Sequence, residues 1–516
     1  IRLLLLGERL MAFRDSSGRV GVMDHMCPHR NASLVLGRNE QDGIRCIYHG
    51  WKFDVNGQCV DMPSVASHQC FKDKVRVAAT YKAMDRNGIV WVYMGPRQDN
   101  PPPLPMFEAT MLAEDDVELF FMQRSCNWLQ SLEGDIDTSH FGFLHVGHLD
   151  PEDVPEGHPL EHTAGDRAPD YHVRDTPWGT NYGAFRDVKP DTTYWRFANY
   201  MFPFWTQTPQ GEFLVNIQAR AWVPMDDHHT MMIFWRRKGK GAPSSTLAPL
   251  KNGQPLAGAK PVPDFHPTGT GWLDRYRVVA DESNDWLIDR EAQRTNRIYS
   301  GIDNIGLQDQ AVTESMGPIT DHSKEHLGPG DRMIARTRRR ALQAARAFAA
   351  GTPAPGVDDP QVMLDARSGF FETPKSVAWE QAYAEKVRDA DRVGRAVSGV
   401  VEERFHHLGI DPHAPRVRRR DDLAAHDLEG ADPVDADDPA RPEPGVRRAL
   451  PVQGGERPED VGHPAHLHRR GVAHALRGGQ ADHRHLPRHG VARGGLLGTD
   501  GAASIEEPCR RRRGRV

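Results

Sequence analysis

The 516-residue chain has no long apolar run. Its longest leucine stretch, residues 3–6, is closed by Gly7, Glu8 and Arg9, which is too short for a signal-peptide core or a membrane span. Cysteine is scarce, six in all, with no even, closely spaced set, so a disulfide scaffold is excluded and a reducing cytoplasm is expected. There is no Gly-rich dinucleotide fingerprint and no plant-type Cys-x₄-Cys-x₂-Cys, so the chain carries no reductase of its own. A net charge of −6 directs it to no polyanionic partner. From residue 411 onward Phe, Tyr, Trp, Lys, Met and Asn are all missing. Such a composition cannot bury a core, and the 411–516 tail is expected to be disordered or the product of a GC-rich gene read out of frame. Its basic runs lack the interleaved aromatics that stack bases, so no nucleic-acid role is expected, and its histidines are assigned no metal.

What is present is concentrated in two short stretches. The first, "CPHRNASLVLGRNEQDGIRCIYHGWKF", pairs Cys27 with His29 and Cys46 with His49. Zinc is the usual occupant of a Cys₂His₂ set, but its fingers keep the cysteines together and the histidines together. One cysteine and one histidine on each arm suit two unlike irons, one held by the thiolates and the other by the imidazoles. Pro28 stiffens the first loop, Gly50 lets the chain turn after the second, and Asn56-Gly57 signals a hairpin.

The second stretch is "NWLQSLEGDIDTSHFGFLH". Leu129, Leu132 and Ile136 give one apolar helical stripe from about Asn127, and Glu133, Asp137 and His140 fall on another face. Gly142 is expected to loosen the helix so that His145 joins His140. Two neutral histidines and a carboxylate make a facial triad for non-haem Fe(II), with positions left open for dioxygen and substrate. A carboxylate to complete it must come from downstream, and Asp303, Asp309, Glu314 and Asp321 are the candidates.

The two stretches together resemble the Rieske domain (CPH-R, C-x-YHGW) and the Asp-x-x-His-x-x-x-x-His motif of Rieske ring-hydroxylating oxygenase α subunits. The segment "GLQDQAVTESMGPITDHSKEHLGPGD" resembles the phthalate 4,5-dioxygenase group. This resemblance implies a [2Fe–2S] cluster on Cys27, His29, Cys46 and His49. It also implies one Fe(II) on His140, His145 and Asp309, with Glu314 the second choice for the carboxylate. By the same match Asp137 is a bridge: it carries electrons from the Rieske histidine of a neighbouring subunit, His29 or His49, to the iron histidine. A homo-oligomer, trimer or hexamer, is therefore implied. Electrons would come from NADH through a separate flavin and iron–sulfur reductase. Products would be a cis-dihydrodiol or a hydroxylated or demethylated aromatic. A bare Rieske electron carrier is the reading from another class, and the large second region argues against it.

The expected fold class is α+β. It comprises a small antiparallel β Rieske domain at residues 1–100, a proline-rich linker at 101–105 and a helix-grip catalytic domain at 106–410. The chain opens at Ile1 inside what resembles an early strand of the Rieske domain, so a lead-in covering that sheet edge is expected to be missing. An aromatic acid as substrate would need a cation in an apolar pocket. Arg186, Arg196 and Arg220, on stretches that read as strands, are the candidates, and Phe202, Phe204 and Trp205 are candidate walls.

Overall fold

The structure, a computed structural model, describes residues 1–239 and 246–397. The tail expected at 411–516 lies outside the described residues.

Nine short strands build the first part: β1 (Arg2–Leu5), β2 (Glu8–Arg14), β3 (Val20–Asp24), β4 (Arg38–Glu40), β5 (Gly43–Arg45), β6 (Lys52–Phe53), β7 (Cys59–Asp61), β8 (Thr80–Arg86) and β9 (Ile89–Tyr93). They form two antiparallel sheets, β1-β2-β3-β8-β9 and β4-β5-β6-β7. The hairpins read from sequence are present. In β8–β9 both turn residues, Asn87 and Gly88, have positive φ, as a two-residue turn that follows the strand twist requires. The Asn56-Gly57 turn is built differently. Only Gly57 is left-handed there, and Asp54 closes the loop by accepting from the Asn56 and Gln58 amides.

The second part carries β10 (Val117–Arg124), β11 (Asp170–Thr176), β12 (Gly179–Lys189), β13 (Thr192–Met201), β14 (Trp205–Gln207), β15 (Gln218–Pro224), β16 (Thr230–Arg237) and β17 (Gly369–Pro374) in one antiparallel sheet. Its helices are α1 (Glu108–Met111), α2 (Trp128–Asp135), α3 (Glu161–Gly165), α4 (Arg290–Arg294), α5 (Ile305–Glu314), α6 (Arg332–Ala349) and α7 (Trp379–Val397). Alternation along β12 and β13 sorts the side chains. In register, Tyr182 faces Ala198, Ala184 faces Arg196 and Arg186 faces Tyr194. That face buries Tyr182, Ala184, Ala198 and Tyr200 against Leu132 and Ile136, with Met333 of α6. The opposite face sets Trp195 and Phe197 against Tyr383 and Trp379 of α7. Phe202 and Trp205 are plain core. The two parts touch directly: Trp91 of β9 stacks near Trp205 and Trp235, and the Leu6 and Gly7 amides donate to the Pro224 and Met225 carbonyls. The expected α+β class, a small antiparallel β domain followed by a mixed one, is what is found.

Candidate metal centres

The two arms of the first centre are the same turn made twice. Each begins with a buried cysteine whose carbonyl accepts from the amide four residues on, Asn31 after Cys27 and Gly50 after Cys46. Each closes on a residue of positive φ, Asn31 and Gly50. At Gly50 a Cβ would also stand 2.7 Å from Pro63 Cγ, so the second turn needs glycine twice over. The turns bring the His29 and His49 rings to 4.3 Å between centroids, with the Trp51 indole stacked on His29. The thiols lie inside and the imidazoles at the rim.

Several features fit an iron–sulfur group. His29 Nδ1 is buried with no hydrogen-bond partner. Burial, with the neighbouring Cys46 adding to it, pushes the Cys27 thiol up to about 11, so the thiolate wants a cation beside it. Among the described residues, only His140, His145 and Asp309 form a group of three or more His, Cys, Asp or Glu donors whose ligand atoms all lie within 4.8 Å. The Cys27 and Cys46 thiols are neighbours, and so are the His29 and His49 rings, so each like pair could hold one iron of a two-iron group. Around the rim Met26, Leu36, Ile47, Tyr48 and Phe71 are all exposed.

The second centre grows from the end of α2. Asn127 caps that helix, its side chain accepting from the Leu129 amide, and Leu132 and Ile136 are fully buried as the stripe predicts. The helix does not run on to His140, however. It stops at Asp135, so Glu133 does not share a face with Asp137 and instead pairs with Arg338 of α6. A tight turn follows, in which Asp137 Oδ1 accepts the Ser139 amide and Ser139 Oγ meets the Tyr171 hydroxyl at 2.6 Å. Then comes a π-helical turn at Phe141–His145. Such single wide turns are common at functional sites, and this one swings His145 beside His140. Gly142 fits there because a Cβ would press on Arg167 at 3.3 Å. Arg167 laces the turn, donating to the carbonyls of Gly142, Gly147 and Leu149.

Asp309 arrives from α5, whose first turn is capped by Asn304. Its Oδ1 lies 3.0 Å from His145 Nε2 and 3.5 Å from His140 Nε2, and the two imidazole nitrogens are 3.1 Å apart. One face of an octahedron with bonds of about 2.1 Å has edges of about 3 Å, so the three atoms fit one metal and leave its opposite face free. The electrostatics agree. Burial opposes a charge on His140, yet hydrogen bonds and charges from Asp137 and Asp309 outweigh it and hold the imidazole up at about 10. Burial likewise opposes the Asp309 carboxylate, and the two histidines hold it well below the usual range. The pocket is built for positive charge between carboxylates.

The other downstream carboxylates are placed elsewhere. Glu314 accepts from the Ser125 amide and the Trp286 indole, Asp321 caps a turn at Ser323, and Asp303 is exposed. The arginines divide. Arg220 does not reach this centre: it is ion-paired with the buried Asp135, which also accepts from Thr206 and Trp222. Arg186 and Arg196 are buried on the sheet face beneath the centre, and among the described residues neither is ion-paired. Arg196 donates to Thr138 Oγ1 at 3.0 Å and lies 4.8 Å over the Phe141 ring, itself packed on His145. Arg186 donates to the Asp166 carbonyl. In each, Nη1 is buried without a partner, as is the Tyr194 hydroxyl beside Arg186. Sequence reasoning missed Arg167, Thr138 and Gln308, which accepts at 2.7 Å from His145 Nδ1. Only Gln308 left a signal, its place beside Asp309.

Residues 2–72 match the Rieske [2Fe-2S] domain, and residues 92–399 match the family described as "LigXa C-terminal domain like". The chain is 53% identical over 389 residues to the 3-chlorobenzoate-3,4-dioxygenase oxygenase subunit of Comamonas testosteroni, covering 75% of this chain and 89% of that one. It is 35% identical to the phthalate 4,5-dioxygenase oxygenase subunit of Pseudomonas putida, covering 75% and 86%. It is 28% identical to the 5,5'-dehydrodivanillate O-demethylase oxygenase subunit of a Sphingobium species, covering 70% and 73%. On both domains and on these relatives, the chain belongs to the Rieske oxygenases, as an oxygenase component that uses a Rieske [2Fe–2S] cluster and a mononuclear iron.

Proposed function

We propose that this oxygenase hydroxylates an aromatic acid, with Cys27, His29, Cys46 and His49 holding the cluster and His140, His145 and Asp309 holding the iron. The observation that carries the substrate reading is the pair of buried guanidiniums beside the triad. Arg186 and Arg196 keep a hydrogen-bond donor each unfilled, and burial together with the charge of Arg196 disfavours the charged form of Arg186. An anion between them would relieve both penalties, and a carboxylate matches the guanidinium fork. Arg220, satisfied by Asp135, is left out.

When bound, the cluster supplies single electrons and the ferrous ion activates dioxygen toward the ring. The chain's own residues do the rest. Arg186 and Arg196 anchor the carboxylate, and with it the ring, against the sheet face below the triad. Phe141 contributes an apolar wall. Asp137 Oδ2 faces His140 Nδ1 at 3.5 Å and orients that imidazole. Its side chain is about one fifth exposed, so it can face a second subunit as well. Two apolar surfaces support an oligomer in which it does: the rim of Met26, Ile47 and Tyr48 round the cluster, and exposed Phe143 and Val312 on the elements that carry the triad, with Met316 just past the second. The electrons would come from NADH through a separate reductase. A cytoplasmic site of action is proposed because the cluster and the ferrous ion both need reducing conditions. Among the described residues no helix is long and apolar enough to cross a membrane.

The test is product analysis with purified protein, ferrous iron, NADH, a phthalate-dioxygenase-type reductase, and benzoates bearing chloro, carboxyl or methoxy groups. Gain of two oxygens and two hydrogens by the ring is the expected result. Formaldehyde with a demethylated phenol would instead identify an O-demethylase, a reading the dehydrodivanillate relative keeps in view. Turnover of neutral aromatics with no preference for acids would overturn the carboxylate assignment.

A further inference from the structure

We propose that Gln308 is a positioning residue that fixes which nitrogen of His145 faces the iron. The inference rests on the reading above, in which His145 is a ligand.

The argument is one of donors and acceptors. Gln308 is fully buried, and its Nε2 donates to the Ile302 carbonyl at 2.8 Å and to the Gly258 carbonyl at 3.3 Å. Carbonyl oxygens can only accept, so the amide cannot be turned the other way without setting oxygen against oxygen. Its Oε1 is therefore committed to His145 Nδ1, 2.7 Å away. An amide oxygen accepts and does not donate, so Nδ1 must carry the proton. That leaves the lone pair on Nε2, the nitrogen 3.0 Å from Asp309 Oδ1 and 3.1 Å from His140 Nε2.

The clamp is itself held. Asn304 caps α5 by accepting the Leu307 amide at 2.9 Å and reaches across to donate to the Lys260 carbonyl at 2.6 Å. The 258–260 strand of loop is thereby tied to the turn that carries Gln308. Gly258, at φ +85°, lets the loop approach, since a Cβ there would stand 3.0 Å from Gln308 Nε2. Gln308 and Asp309 are consecutive, so one helical turn supplies a ligand and orients another.

The two histidines are thus held differently. His140 Nδ1 faces a carboxylate, Asp137, at 3.5 Å, which can draw its proton away. His145 Nδ1 faces a neutral amide that orients the ring without adding charge. A buried glutamine that merely fills space would be indifferent to the identity of its Oε1 partner.

The experiment compares full-length Gln308→Leu and Gln308→Glu with the parent. It uses protein with an intact cluster from which mononuclear iron has been removed, and titrates it with Co(II) while following the visible d–d bands. The leucine variant removes the acceptor, and a 10–100-fold loss of Co(II) affinity with altered bands is expected. Glutamate keeps an oxygen toward Nδ1, and protonated it can still donate to one of the two carbonyls, so recovery to within about threefold of the parent is expected. The cluster absorption should be the same in all three. Unchanged affinity and bands in Gln308→Leu would overturn the proposal. So would equal losses in both variants that track a lowered Tm. A His145→Ala control separates the underlying reading: if it binds Co(II) as the parent does, the triad is not the metal site and both fall together.

Discussion

Asp137 holds its two oxygens in two different duties: Oδ2 lies 3.5 Å from His140 Nδ1, while Oδ1 accepts the Ser139 amide at 2.7 Å. Asp137→Asn should preserve the turn, because an amide oxygen can still accept from Ser139, but it removes the charge that faces His140. Iron content and the cluster spectrum are expected to stay near the parent's. Reoxidation of the reduced cluster in the presence of substrate and dioxygen should slow by roughly 10–100-fold. Stopped-flow absorbance would measure it, and an unchanged rate would remove Asp137 from the electron path.

Arg196→Gln and Arg186→Gln each withdraw a charged donor from the same small volume. A hydrogen bond to a charged group is worth roughly 1.5–3 kcal/mol, so KM for an aromatic acid should rise about ten- to a hundredfold. KM for the corresponding primary amide should move far less. Steady-state kinetics with the matched pair of substrates decides the matter, and equal effects on acid and amide would mean that the arginines support the fold only.

Arg220 is expected to behave in the opposite way. Its partner Asp135 has a side chain only 7% exposed, and Arg220→Leu would leave that carboxylate buried without its cation. The cost should be about 3–5 kcal/mol. Denaturant unfolding should reveal it, whereas KM for the acid in the fraction that stays folded should be unaltered. A near-neutral unfolding midpoint would show that Asp135 is adequately held by Thr206 and Trp222.

The α6 anchor gives a pH signature. Hydrogen bonds from Arg338, with His322 adding to them against a little burial, hold the Glu325 carboxyl down at about 2. A carboxyl depressed on folding stabilises the protein above its unfolded value of about 4.5 and loses that contribution as pH falls through the folded value. The Tm gap between the parent and Glu325→Gln should therefore be full near neutrality and shrink between about pH 4.5 and 2. A gap that stays constant over that interval would mean that Glu325 is not held ionised by Arg338.

How much of this was legible in the chain depends on how local the signal was. The four residues proposed to hold the cluster sit two apart on one arm and three apart on the other, so their pattern could be read from spacing and from the resemblance it carries. His140 and His145 were found for the same reason, although the route between them was misread. The helix ends at Asp135 because Ile136 buries and Asp137 turns back on Ser139, and no periodicity encodes that competition. The choice among downstream carboxylates was not local at all. Asp309 and Glu314 ride the same helix five residues apart and so point different ways, and only the packing of Ser125 and Trp286 against Glu314 takes it out of contention. The arginines pose the same difficulty. Arg196 and Arg220 share a residue type and a sheet, and what separates them is whether an aspartate from α2 happens to lie opposite.

His145 and Gln308 meet across 163 residues of chain. Between them run strands β11 to β16 of the central sheet and the long irregular stretch after it. A single ion bound by His140, His145 and Asp309 would therefore act as a cross-link, closing a loop longer than most disulfides span. Closing a loop of about a hundred residues removes on the order of 4–5 kcal/mol of freedom from the unfolded chain in the entropic account. The iron centre is then a fastening as well as a reagent. Stripping it should loosen amide-exchange protection along α2, the π-helical turn and α5 together, while the β4–β7 sheet keeps its own.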